Sequence, residues 1–161
     1  GLNLDAAWKG FDVKVFFQGT LKRDAMCRNS VFYGPSQNKW QAMVFKDHMD
    51  YWRPEGDPLG ANLDAYYPKA DWNGGKNFQR STHYLQDASY VRLKNVTIGY
   101  TLPQEITRKF FVENLRVFAS GENLLTFTSF SKLSDPELVS ADFGKTYPLS
   151  QTFSLGLSVT F

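Results

Sequence analysis

Five stretches of the chain alternate apolar and polar residues with the period of two that marks a β-strand with unlike faces. The first, about 2–9, sets Leu2, Leu4, Ala6 and Trp8 against Asn3, Asp5 and Lys9. Lys9-Gly10 reads as a tight turn into the second, about 11–20, where Phe11, Val13, Val15 and Phe17 oppose Asp12, Lys14 and Gln18. In the third, about 88–102, Val91 and Leu93 fall out of phase with Val96, Ile98, Tyr100 and Leu102. One extra residue near Lys94-Asn95, a β-bulge, restores the phase. The fourth, about 114–127, places Leu115, Val117, Ala119, Gly121, Leu125 and Phe127 opposite Arg116, Ser120, Glu122 and Thr126, with Phe118 and Asn123 as exceptions. The fifth, about 151–161, is the cleanest: Phe153, Leu155, Leu157, Val159 and Phe161 alternate with Thr152, Ser154, Gly156, Ser158 and Thr160.

Pooled over the five stretches, the apolar faces carry no Asp, Glu, Lys or Arg. The opposite faces hold Asp5, Lys9, Asp12, Lys14, Arg92, Lys94, Arg116 and Glu122. A lipid-facing wall requires this sorting, because Arg or Lys at the bilayer midplane costs roughly 2–4 kcal/mol. A soluble β-sandwich sorts its residues in the same way, so alternation alone leaves both readings open. The connections separate them. They run short at Lys9-Gly10, long over 21–87, short over 103–113 and long over 128–150. Short turns at one rim and long loops at the other are the plan of an outer-membrane barrel, whereas a connection as long as 21–87 is out of place in a compact sandwich.

Composition adds exclusions. Lys and Arg number 18 against 16 Asp and Glu, and no basic run with interleaved aromatics occurs, so nucleic acid is not an expected partner. Cys27 is the only cysteine, which rules out an internal disulfide and a cysteine-rich zinc site. No apolar run is long enough for a membrane-crossing helix, but barrel strands escape such a search. Residues 1–5 lack the basic and apolar regions of a signal peptide. Barrels need about eight strands or more to close, and an open sheet in lipid leaves unpaired backbone at two edges. The chain is therefore expected to be a fragment whose partner strands lie N-terminal to it.

In order along the chain, several blocks carry a family likeness. They are Trp8-Lys9-Gly10-Phe11-Asp12 with Phe16-Phe17-Gln18-Gly19, Tyr51-Trp52-Arg53-Pro54-Glu55 with Tyr67-Pro68, and the run from Asp87 through Tyr90-Val91-Arg92-Leu93-Lys94-Asn95 to Pro103. Asn114-Leu115-Arg116-Val117, Gly121-Glu122-Asn123-Leu124-Leu125-Thr126, Asp135-Pro136-Glu137, Tyr147-Pro148 and the strand ending at Phe161 follow. Together they resemble the C-terminal part of SusC/RagA-type TonB-dependent outer-membrane transporters of Bacteroidetes. Arg53, where a small polar residue is usual, and Gly56-Asp57-Pro58-Leu59-Gly60 depart from the pattern. The resemblance implies an all-β fold: the last five antiparallel strands of a 22-stranded transmembrane β-barrel, with 21–87 and 128–150 as extracellular loops and the plug domain outside this chain. It further implies import of oligosaccharides or peptides, energised by TonB, beneath a SusD-like lipoprotein lid in the outer membrane of a Gram-negative bacterium. Readings weighed beside it are a siderophore or vitamin receptor and a soluble carbohydrate-binding sandwich.

The 21–87 loop is rich in aromatic residues, and their ring faces can stack on sugars or peptide side chains. Trp40, Tyr51, Trp52, Tyr66, Tyr67 and Trp72 are the candidate ligand or lid contacts, with packing of the loop on itself as the competing role. Trp40, Val44, His48 and Tyr51 have the spacing of a short amphipathic helix. Asp47, His48 and Asp50 make a poor metal set, and Asp57, Asp64 and Asp71 could offer oxygens to calcium but match no dense calcium loop. Ser81, His83 and Asp87 lack a nucleophile-elbow context, so neither catalysis nor a cofactor is expected. Residues 103–113 read as a short helical turn with a solvated basic pair, Arg108 and Lys109. Phe153, Leu155, Leu157 and Val159 are expected to face lipid, and Phe161 resembles the C-terminal aromatic signal read by the barrel assembly machinery.

Overall fold

A computed structural model of the chain describes residues 1–27, 30–34, 44–71, 75–132, 134–139, 147 and 149–161. The described strands are β1 Leu2–Trp8, β2 Phe11–Thr20, β3 Asp24–Met26, β4 Leu85–Asp87, β5 Tyr90–Thr101, β6 Asn114–Thr128 and β7 Thr152–Thr160. The helical turns are α1 Ser30–Tyr33 and α2 Gln104–Thr107, with short 3-10 turns elsewhere. The chain divides into two compact units. One holds β1, β2, β5, β6 and β7; the other is built from Lys22–Ala88 and Phe130–Pro148.

The first unit is an all-β sheet of five strands in the order β1-β2-β5-β6-β7, every neighbour antiparallel. β1 ends at Trp8 because Lys9 and Gly10 take positive φ values of 46° and 88°, the signature of the two-residue hairpin turn that suits strand twist. Gly10 is required twice over, since a Cβ there would also lie 2.8 Å from the Thr101 carbonyl oxygen. β5 begins at Tyr90, not 88, because the Ala88 amide bonds the Arg23 carbonyl in the other unit's ribbon. Across 102–113 the chain turns through α2 and a 3-10 turn, Arg108–Phe110, and reverses at Phe111 with φ 59°.

Register carries one apolar row through all five strands. Leu4 pairs with Val15, Val15 with Val96, Val96 with Gly121, and Gly121 with Phe153. A second row links Leu2, Phe17, Leu93 and Leu125. Between these rows the strands differ in length: β2 goes from 15 to 17, β5 from 96 back to 93, and β6 from 121 to 125. β5 thus carries one extra residue, at the bulge read from Lys94-Asn95, and β6 carries two. Asn123, with φ 54°, makes the β6 bulge in the left-handed region that asparagine tolerates. The apolar face is open: Phe153, Leu155 and Leu157 on β7 are 75%, 86% and 69% exposed.

The opposite face is polar and is built around two glycines. Asp12, Gly99, Phe118 and Gly156 form one cross-strand row, small residues alternating with large. Because Gly99 has no side chain, Arg116 on β6 reaches Asp12 on β2 across β5. Its Nε and Nη2 donate to the two carboxylate oxygens at 2.9 and 2.5 Å, a bidentate pair. A Cβ at Gly99 would collide with both partners. The guanidinium also lies 5.0 Å from the Phe118 ring centroid, and that ring covers Gly156.

In the second unit, β3 and β4 form a short antiparallel ribbon, extended by the Cys27 amide donating to the Tyr84 carbonyl and Ala88 to Arg23. Ala25, Cys27, Phe32, Ala88, Phe130 and Val139 make its core, with Phe45 packed against it. The Asp135 side chain caps the turn Pro136–Leu138 by accepting from the Glu137 amide at 2.9 Å. Burial pushes the Cys27 thiol up to about 11, so this residue behaves as a small apolar filler.

In the whole protein, Gly99→Val is expected to part Asp12 from Arg116 and lower stability by about 1–3 kcal/mol. Thermal unfolding of folded receptor, followed by its gel mobility, reads the change. An equal cost in a background already carrying Arg116→Ala would show that the pair is not what Gly99 protects.

Candidate functional site

In the second unit, the described parts of the aromatic segment, 44–71 and 75–84, include two residues that share no motif but gather several partners, His48 and Asp50. Lys46–Met49 is a single 3-10 turn, and Phe45 before it is extended. The amphipathic helix suggested by Val44, His48 and Tyr51 therefore does not form over these residues, and Trp40 lies outside the described residues. The local reason is that the Phe45 amide is turned to the His48 imidazole, which accepts at Nδ1 (3.3 Å). His48 is fully buried, edge-on to Phe45 and to Tyr67 at ring separations of 5.3 and 5.0 Å.

Asp50 ties the following strand-like segment to the one that returns at Tyr67. One carboxylate oxygen accepts from the Asn62 side-chain amide at 2.9 Å and the other from the Tyr66 amide at 3.2 Å, while its carbonyl accepts from Tyr67 N. The Asn62 bond, then the Tyr66 amide and the nearby Arg53 charge, hold the Asp50 carboxyl below the ordinary carboxylate value. Trp52 N donates to the Tyr67 carbonyl, and Tyr51 and Tyr67 form a parallel bridge. Burial, aided by Tyr66, Asp47 and Asp50, raises the Tyr67 phenol to about 12.

The two departures from the family pattern act together. Arg53 donates through Nε to the Gly60 carbonyl at 2.8 Å and through Nη1 to Met49, and its guanidinium lies 4.9 Å from the Tyr51 ring. Gly56 and Gly60, with φ 85° and 86°, shape the turn whose last carbonyl Arg53 holds, and Asp57 accepts from the Leu59 amide within it.

Aromatic contacts continue from Tyr67 through Tyr66, His83 and Tyr84 to Tyr33. Tyr66 and His83 lie nearly face to face, 4.6 Å apart with a 30° tilt. Beside them opens a cavity of about 390 Å³ lined by residues that include Trp52, Tyr66, Tyr67, Lys69, Lys76 and His83. Its size lies in the range of small-ligand clefts, roughly 300–1,000 Å³, but it is a shallow depression open to solvent.

Of the residues singled out from the sequence, Trp52, Tyr66 and Tyr67 come together at this cavity. Tyr51 does not line it; its ring is engaged by Arg53. Trp72 lies outside the described residues. Among the described residues no group of three or more His, Cys, Asp or Glu comes together to hold a metal, so Asp47, His48 and Asp50, like Asp57, Asp64 and Asp71, are not assembled into a site. Ser81 and His83 line the cavity, whereas Asp87 pairs with Asp24 in the ribbon. Lys76, His83 and the hub at Asp50 have no local sequence signature as ligand contacts, because only the folded loop brings them alongside Tyr66.

No family model matches the chain. TonB-dependent receptors P3 and P26 of Formosa agariphila are 30% and 29% identical to it over its full length. TonB-dependent receptor SusC of Bacteroides thetaiotaomicron is 33% identical over 54% of it. The chain spans 16% of the length of each Formosa receptor and 9% of SusC. Among solved structures, the RagAB peptide transporter matches 99% of the chain with a TM-score of 0.69 at 25% identity, across 17% of that protein's chain. A 'closed-closed' state of the RagAB peptide importer matches in fold with a TM-score of 0.69. Likeness in sequence over its whole length, and in fold over nearly all of it, places the chain with the SusC/RagA family of TonB-dependent receptors, as a segment of their β-barrel.

Proposed function

We propose that the chain is the C-terminal part of an outer-membrane nutrient importer, contributing the last five of about 22 barrel strands and two extracellular loops, with no catalytic role. The observation that supports this most directly is the sorting of the sheet: an exposed, uncharged apolar face across five strands, backed by a face that carries the Asp12–Arg116 pair. A bilayer solvates the first face, and a water-filled lumen suits the second. Phe153, Leu155, Leu157 and Val159 then meet lipid. Trp8, Phe11, Phe110, Phe111 and Phe161 gather at the short-turn end of the sheet, where a membrane interface favours aromatic rings.

On this reading the loop unit lies outside the cell, where a SusD-like lipoprotein lid and an oligosaccharide or peptide meet the barrel mouth, with Trp52, Tyr66 and Tyr67 as contacts. The names of the relatives support the import part of this reading: SusC is a TonB-dependent receptor, and RagAB is a peptide transporter. Coupling to TonB would reside in parts of the protein beyond this chain.

The full-length protein, expressed in a Bacteroidetes host, is expected in the outer-membrane fraction, soluble only with detergent and co-purifying with a lid lipoprotein. A full-length protein soluble without detergent would sink the importer reading, and one that purifies without a lid would favour the siderophore or vitamin class. Leu155→Arg is expected to destabilise the folded barrel by roughly 2–4 kcal/mol, and Ser154→Arg on the polar face by far less; equal costs would mean that the apolar face does not meet lipid. Deleting Phe161 is expected to lower the amount of receptor reaching the outer membrane, and unchanged levels would remove its assembly role.

A further inference from the structure

The cavity beside Tyr66 has a chemical bias that the importer reading does not require. Its described lining includes two lysines, Lys69 and Lys76, a histidine and three side chains rich in hydrogen-bonding groups, Asn77, Gln79 and Ser81, but no Asp or Glu. Lys76 is exposed at the edge of the turn Gly75–Phe78, and its ammonium makes no ion pair among the described residues. Trp52 and Tyr66 supply ring surface; Tyr66 is 44% exposed although His83 backs its ring.

Several backbone amides of the lining are already engaged. The amides of Trp52, Tyr67 and Tyr84 are all engaged, on Tyr67, Asp50 and Ser81 carbonyls respectively. A peptide that binds as an added strand needs a free backbone edge, and these residues do not provide one. Ring surface beside amide and hydroxyl groups suits a sugar ring, whose apolar face stacks while its hydroxyls exchange hydrogen bonds. A lysine without an acidic neighbour in the lining suits an acid group on that sugar.

We propose that this cavity is a subsite for an acidic saccharide, a carboxylated or sulfated sugar whose ring lies against Trp52 or Tyr66 and whose acid group meets Lys76. The inference rests on the importer reading for the loop's place outside the cell, and it names the ligand class at that site.

The test uses the whole receptor, with any lid that co-purifies, in detergent. Calorimetric binding is compared for trigalacturonate, its uncharged methyl ester, a sulfated chondroitin tetrasaccharide and a triglutamate peptide. At least one of the two acidic saccharides is expected to bind, about tenfold or more weakly in Lys76→Gln and unchanged in Lys22→Gln, a surface lysine of the same unit that pairs with Asp24. Where trigalacturonate is the ligand, its methyl ester should lose affinity by a similar factor. Raised salt should weaken binding to the parent receptor more than to Lys76→Gln. Lys76→Gln changes an exposed side chain that makes no ion pair among the described residues, so loss of folding is not expected to mask the result. Failure of both acidic saccharides to bind, methyl-ester binding equal to that of the acid, or triglutamate binding with the same dependence on Lys76 would each overturn the proposal. These outcomes concern the subsite alone; absence of the receptor from the outer membrane would instead overturn the importer reading.

Discussion

In the membrane setting proposed for it, the sheet depends on one constraint: five strands must keep charge off one face while their backbone groups stay paired with their neighbours. Hydrocarbon solvates neither an ammonium nor an unpaired amide. Under that constraint, charges such as Asp12, Lys14 and Arg116 belong on the other face. There, Gly99 provides the gap through which Arg116 crosses a whole strand to reach Asp12. The ion pair is therefore a product of the sorting, and so is the small-large row of Gly99, Phe118 and Gly156.

The loop unit obeys different rules. Its described residues form little regular structure, and their backbone polar groups find partners in side chains and tight turns. Asp50 collects Asn62, Tyr66 and Tyr67, His48 accepts from Phe45, and Arg53 holds two carbonyls. Its rings fill the spaces that a ladder of strands would otherwise close. Many of the loop's described aromatics are thus engaged in packing, and the cavity draws on rings at its margin, Trp52 and Tyr66.

What could be read from the sequence follows the same division. Period two exposed the strands because a half-buried or lipid-facing strand repeats its environment every second residue. It exposed the Lys94 bulge because one extra residue breaks the phase. It concealed the irregularity in β6, since the two extra residues there return Leu125 to the face of Gly121, leaving Asn123 only as an oddity. The loop had no comparable period: Asp50 meets Asn62 and Tyr66 across a dozen or more positions, so neither the hub nor the cavity had a local signature. The apparent helix at Val44, His48 and Tyr51 was a coincidence of spacing, overridden once His48 bonded Phe45.

The stacked bulges also bear on how such a wall can change over generations. Between the same two rows of apolar residues, β2, β5 and β6 use progressively more chain, and each extra residue adds about 3.3 Å of strand contour that twist and kink absorb. An inserted or lost residue in mid-strand turns every side chain beyond it to the wrong solvent. At Lys94 or Asn123 the strand already leaves its ladder, so length variation can be taken up locally. These positions act as expansion joints, letting one strand differ in length from its neighbour while the boundary between oily and wet surfaces stays continuous.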